Sequence, residues 1–109
     1  MLFVEVPLFT QQVVDLTSDE VYLHFRKELL KDPKKGAVIP HSGGLRKARM
    51  KLPGRGKSGG ARVIYLHLEE RGIIIFFYLY TKAKSENLTA EQLKRLRNAV
   101  TIIKQEFNQ

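Results

Sequence analysis

The sequence predicts a small α+β protein: an antiparallel-rich sheet in the order β-α-α-β-β-β-α, with its helices packed largely on one face. Three observations predict it. Ile73 to Thr81, IIIFFYLYT, is an unbroken run of strand-forming residues. Helix-start signatures at Thr17 and Thr89 each precede an apolar stripe of helical spacing. Between them the chain alternates in steps of two, the periodicity of a strand. At 109 residues and 43% hydrophobic content, a single domain spanning 1–109 can bury a core without covalent staples.

The elements follow in order. Leu2 to Val6 is short, apolar and β-branched, a strand closed by Pro7. Leu8 to Asp15 forms a short helix with Phe9, Val13 and Leu16 along one side. Thr17 is the expected N-cap of the next helix, with Glu20 three residues on and Leu16 and Val21 as flanking staple. That helix presents Val21, Phe25 and Leu29 on one stripe and ends at Asp32-Pro33. Leu45 to Leu52 alternates: Leu45, Lys47, Arg49 and Lys51 point one way, and Arg46, Ala48, Met50 and Leu52 the other. Such a strand lies on a core by one face and shows cations on the other. Pro53 to Gly60 is a glycine-rich loop, and Ala61 to Glu69 is a strand apolar on both sides. Glu70-Arg71-Gly72 is a turn, and Ile73 to Thr81 is the following, central strand. Thr89 and Gln92 form a second capping box, with Leu88 and Leu93 as staple. Leu93, Leu96, Val100, Ile103 and Phe107 then make a stripe suited to packing on the sheet.

Charge is distributed unevenly. The thirty residues from Pro33 to Arg62 hold nine of the 19 basic residues and none of the 11 acids. The remainder is nearly neutral, so the formal charge of +8 comes from one segment. A concentrated block makes a local positive field, which favours a polyanion, most often nucleic acid. The alternative, a solvated lysine-rich loop, fits poorly with the glycines and apolar residues woven through it.

Several classes are excluded or disfavoured. There is no cysteine, so disulfides, thiolate metal sites and a cysteine nucleophile are absent. His24, His41 and His67 are scattered, without metal-type spacing, and read as surface or half-buried side chains. No cofactor is expected. No apolar run reaches membrane-spanning length. The start, MLFVEVPLFTQQ, lacks a basic segment and carries Glu5 within its apolar stretch, a poor signal peptide; the expected location is the cytoplasm. The loop PGRGKSGG superficially resembles a phosphate loop. Its first required glycine is Lys51, however, and a strand rather than a helix follows, so nucleotide binding is rejected. Turn chemistry alone accounts for the glycines; Arg55 and Lys57 add a phosphate-touching alternative.

The basic segment holds no paired carboxylates and no supported Ser/His/Asp set. Lysine and arginine chemistry on a phosphodiester is what this face can run. RNA brings its own nucleophile, the 2′-OH, and clustered cations stabilise the dianionic phosphorane. Crowded cations also favour a neutral lysine, which permits general-base work. Arg62 opens an apolar strand after the loop. A guanidinium there can grip a phosphate bidentately, cap a carbonyl or pair with an acid, and pattern alone leaves these open.

The succession GGLRKARMKL, GRGKSGGARVIYLHLEE and IIIFFYLYTKAKSENLT resembles the RelE/HigB class of bacterial type II toxins, most of all the HigB-like branch with a glycine-rich loop between strands. The resemblance covers nearly the whole chain. It implies the RelE-like fold and a ribosome-dependent mRNA endoribonuclease. Such a toxin enters the 30S A site and cuts the codon by metal-free 2′-OH attack, leaving a 2′,3′-cyclic phosphate and a 5′-OH. By the same resemblance Lys51 is the candidate general base, and Arg49 with Arg62 stabilise the scissile phosphate. Lys84 is the candidate for the leaving oxygen, and Lys47, Arg55, Lys57 and Lys82 contact RNA. Two departures stand out. Lys82, Ala83 and Lys84 occupy the place where the family often has an arginine. Glu86-Asn87-Leu88 holds no tyrosine where some members carry one, and Tyr78 and Tyr80 lie on the strand, where core packing is the simpler reading. The implied partners are a cognate antitoxin, the ribosome and mRNA, with no membrane and with DNA only through the antitoxin. A non-catalytic nucleic-acid or ribosome binder using the same face is the competing class. An antitoxin sink is a third, and a DNA-binding repressor is weaker because no helix has a basic groove-reading face.

Overall fold

The computed structural model describes residues 1–53, 60–82 and 87–107. Strand β1 is Leu2–Glu5, followed by helices α1, Pro7–Leu16, and α2, Asp19–Lys31. Strands β2, Ala37–Val38, β3, Arg46–Met50, β4, Ala61–Leu68, and β5, Ile73–Thr81, lead to helix α3, Ala90–Phe107. The five strands form one sheet in the order β1-β5-β4-β3-β2. β1 runs parallel to β5, and every other pair is antiparallel. The expected α+β order is present, with a two-residue edge strand, β2, added.

The sheet separates two apolar clusters. On one face, Phe9 and Val13 of α1 and Tyr22, Phe25 and Leu29 of α2 meet Ala48, Met50, Val63, Tyr65, Phe76 and Leu79. On the other, Val100 of α3, with Leu96 and Ile103 beside it, covers Leu45, Ile64, Leu66, Ile75 and Phe77. Two of the three helices therefore share a face, and α3 lies across the sheet from them. The alternation of β3 decides this: Ala48 and Met50 go to the first cluster and Leu45 to the second.

Helix termini show where local sequence is informative. At α3 the Thr89 hydroxyl accepts from the Gln92 N–H at 3.1 Å and Gln92 Oε1 accepts from the Thr89 N–H at 2.9 Å, a reciprocal capping box. At α2 the cap is Ser18, whose Oγ accepts from the Val21 N–H at 3.3 Å, and not Thr17. The reason is that α1 runs on to Leu16. Thr17 is then needed to end it, its N–H donating to Val13 O at 3.0 Å.

One side chain, Tyr65, fixes the route from α2 into the sheet. The Tyr65 hydroxyl donates to Pro33 O at 2.8 Å and accepts from the Gly36 N–H at 3.0 Å. Gly36 is required there, because a Cβ would sit 2.9 Å from the Tyr65 ring. Between β4 and β5 the register shifts: Ile64 opposes Tyr78 and Tyr65 opposes Phe76, leaving Phe77 extra. This bulge puts both Phe77 and Tyr78 against the α3 cluster. Next to it, Gln12 Oε1 of α1 accepts from the Leu79 N–H at 2.7 Å.

Candidate nucleic-acid interface

The basic block is not used as a unit. Arg46 turns to the α1/α2 side, where Nη1 donates to Gly36 O at 2.7 Å and Lys34 O at 3.1 Å. Lys34 pairs with Glu69 at 3.1 Å and Lys35 with Glu28 at 2.7 Å. These three cations are engaged with the chain's own carbonyls and carboxylates. Among the described residues, Lys47, Arg49, Lys51 and Arg62 pair with no carboxylate. Arg55, Lys57 and Lys84 lie outside the described residues.

Strand register gathers part of this set. Arg49 of β3 directly opposes Arg62 of β4, and Arg62 opposes Tyr80 of β5. The three side chains thus form one row across the sheet on the α3 side, with neighbouring Cβ atoms about 5 Å apart. The adjacent row, about 7 Å along the strands, is Lys47, Ile64 and Tyr78. Like charges placed opposite each other destabilise a sheet, so packing does not account for the Arg49–Arg62 pair. Arg62 makes one long contact, Nη1 to Ala61 O at 3.4 Å. Of the three roles that strand position leaves open to it, acid pairing is absent among the described residues, and the carbonyl contact is marginal.

Helix α3 is tied to this face at both ends. Its far end is anchored by Lys104 Nζ donating to Gly43 O at 2.6 Å and by the Arg71 guanidinium donating to Phe107 O. At its near end, Lys47 Nζ donates to Asn87 Oδ1 at 3.3 Å. Gly60 keeps β3 and β4 close: a Cβ there would lie 2.8 Å from Met50 O and 3.5 Å from Arg49 Nε.

Lys51 follows the row two residues beyond Arg49, outside the strand ladder. It is exposed, just past the end of β3, and with Arg49 it lines an open groove of about 1220 Å³ running along α2 past Glu20, His24, Lys27 and Glu28. Lys82 is likewise exposed, one residue beyond β5. The structure also brings in two residues that strand pattern assigns to the core, Tyr78 and Tyr80. Their rings lie 5.7 Å apart at 34°. Tyr80 is 4% exposed, and its hydroxyl has no hydrogen-bond partner among the described residues. Burial pushes the Tyr80 phenol pKa up, while the Arg62 guanidinium pulls it down. The only signal for these tyrosines is the bulge, which no single-strand pattern reveals.

A sheet with two helices behind it, a third crossing its front and two arginines opposed across neighbouring strands defines a small basic α+β protein. Comparison supplies the family. The model of the RelE toxin of the RelE/RelB toxin–antitoxin system matches residues 28–109, and the chain belongs to that family of type II toxins. Among solved structures, the Escherichia coli toxin RelE, as a double arginine-to-alanine mutant in the free state, is similar in fold. The TM-score is 0.60 at 17% identity, over 87% of this chain and 96% of that one. Among the described residues, no helix is long and apolar enough to cross a membrane.

Proposed function

We propose that this toxin is a ribosome-dependent mRNA endoribonuclease that cleaves codons in the A site, the activity its HigB-like resemblance implies. The observation that supports the reading is the direct opposition of Arg49 and Arg62, two guanidiniums with no carboxylate partner among the described residues. In this reading the 2′-OH attacks the adjacent phosphorus and Lys51 takes its proton. Arg49 and Arg62 hold the non-bridging oxygens as negative charge develops on them. The 5′ oxygen leaves with a proton from Lys84, giving a 2′,3′-cyclic phosphate and a 5′-OH. Lys47, Lys82, Arg55 and Lys57 hold the flanking RNA through its phosphates, without reading bases. A cognate antitoxin restrains the activity in the cytoplasm.

The test is to map cuts on translated mRNA in a reconstituted system, with free RNA as control. Wild type is expected to cut within codons on the ribosome. Arg62→Ala and Lys51→Ala are expected to lower the rate by at least about a hundredfold while retaining ribosome binding. If both variants still cut, the catalytic assignment is wrong. Equal cutting of naked RNA contradicts the ribosome requirement. Ribosome binding by a wild type that cuts nothing favours the non-catalytic binder.

A further inference from the structure

Among the described residues of this face, the Tyr80 hydroxyl is the polar group that packing leaves unexplained. A phenylalanine would fill the same space in the α3 cluster and would not bury an unpaired hydroxyl. The ring is nevertheless delivered to this position by a specific device. Counting in twos from Ile75 and Phe77 would send Leu79 and Thr81 to the α3 face. The bulge at Phe77 reverses that parity and puts Tyr78 and Tyr80 there instead. Gln12, reaching across from α1, holds the Leu79 N–H between them.

The direct cross-strand partner of Tyr80 is Arg62, whose charge acts on the phenol. Arg62 carries five N–H donors and, among the described residues, uses one, in a contact of 3.4 Å to its neighbour's carbonyl. An acceptor without a donor thus stands beside a donor fork almost without acceptors. A guanidinium that grips a phosphate by one edge needs its remaining N–H groups held to fix the plane of the fork.

We propose that Tyr80 is the positioning residue of Arg62: its phenolic oxygen accepts from the inner edge of the guanidinium when the outer edge engages an RNA phosphodiester. In the free protein the two groups stay unpaired. The bond forms only with the substrate's phosphate in place, so the hydroxyl contributes to the bound state and not to folding. The inference rests on the nuclease reading for its kinetic consequence and on phosphate binding alone for its geometry.

Tyr80→Phe tests it. On translated mRNA the variant is expected to lose on the order of tenfold to a hundredfold in kcat with KM nearly unchanged, the range for a hydrogen bond to a charged group. Its thermal midpoint is expected to equal or exceed that of wild type. Placed on an Arg62→Lys background, whose ammonium cannot make the fork, it is expected to cause no further loss. A second readout does not need cleavage: the Arg62 Nε–H resonance, followed by NMR while a 2′-deoxy-substituted RNA trinucleotide is added. It is expected to shift and become protected from exchange in wild type and much less so in Tyr80→Phe. The proposal is overturned if Tyr80→Phe cuts at the wild-type rate, if it melts lower, if its effect adds fully to that of Arg62→Lys, or if both proteins give the same Arg62 shift. A wild type that cuts nothing removes the nuclease reading and leaves the NMR comparison to decide the geometry.

Discussion

Replacing Arg62 with glutamine should stabilise the fold, and the gain should vanish in salt. Arg49 and Arg62 are direct cross-strand partners on one face of the sheet, with no carboxylate beside them among the described residues. With Cβ atoms about 5 Å apart and the charged tips splayed slightly wider, a separation of about 6 Å in a water-like dielectric gives a repulsion of about 0.7 kcal/mol. At about 0.01 M salt the screening length is roughly 30 Å and most of that survives; at about 1 M it is roughly 3 Å and little does. For a chain of this size, about 0.5 kcal/mol corresponds to a midpoint higher by roughly 3 °C. The assay is a pair of melting curves, at low and high salt, for wild type and Arg62→Gln. Arg95→Gln serves as control, because Arg95 is bonded to Glu91 at 2.8 Å and its loss should not stabilise. The expected result is a gain for Arg62→Gln at low salt that shrinks below about 1 °C at high salt. A variant no more stable than wild type at low salt, or one whose gain ignores salt, would refute the argument that this pair opposes folding. Confirmation would show that the two arginines are kept for a ligand and not for the sheet.

Two further outcomes follow from groups behind the sheet. Tyr65→Phe strands the buried Gly36 N–H and removes the donor to Pro33 O, so stability should fall by about 2 kcal/mol, read as a urea midpoint at neutral pH. Tyr22 donates to Glu5 Oε2 at 2.6 Å, and burial and that carboxylate push its pKa well above the ordinary tyrosine range. Its folded-state pKa is raised, so its contribution is fully present below about pH 10 and is lost as pH rises above it; the urea midpoint should drop there, less steeply in Tyr22→Phe.

The readable parts of this chain are those decided locally. Strand β5 begins and ends where its composition changes, at Ile73 and Thr81. The Thr89–Gln92 capping box is complete within four residues. Thr17 misleads because its role depends on how far the preceding helix runs. Strand β2 escapes a pattern-based reading because two exposed residues, Ala37 and Val38, become a strand only by pairing with Arg46 and Lys47. The site divides in the same way. Alternation along β3 separates Lys47 and Arg49 from Ala48 and Met50, as the sheet does. The opposition of Arg49 to Arg62 is a matter of register across a loop, and the presence of Tyr80 beside them is a matter of a bulge; neither is written in one strand. Lys51 belongs to the same alternation by its spacing, but the strand stops one residue short of it.

The parallel pairing of β1 with β5 has a bearing on synthesis. Leu2 meets Ile73, a partner made about seventy residues later, which at ordinary elongation rates is roughly 4–14 s. Throughout that interval Phe9, Phe25 and Leu29 have no sheet to cover them, so the nascent toxin has neither its row of cations nor its shelter. A partner that captured the emerging amino-terminal third would meet a chain that was not yet armed.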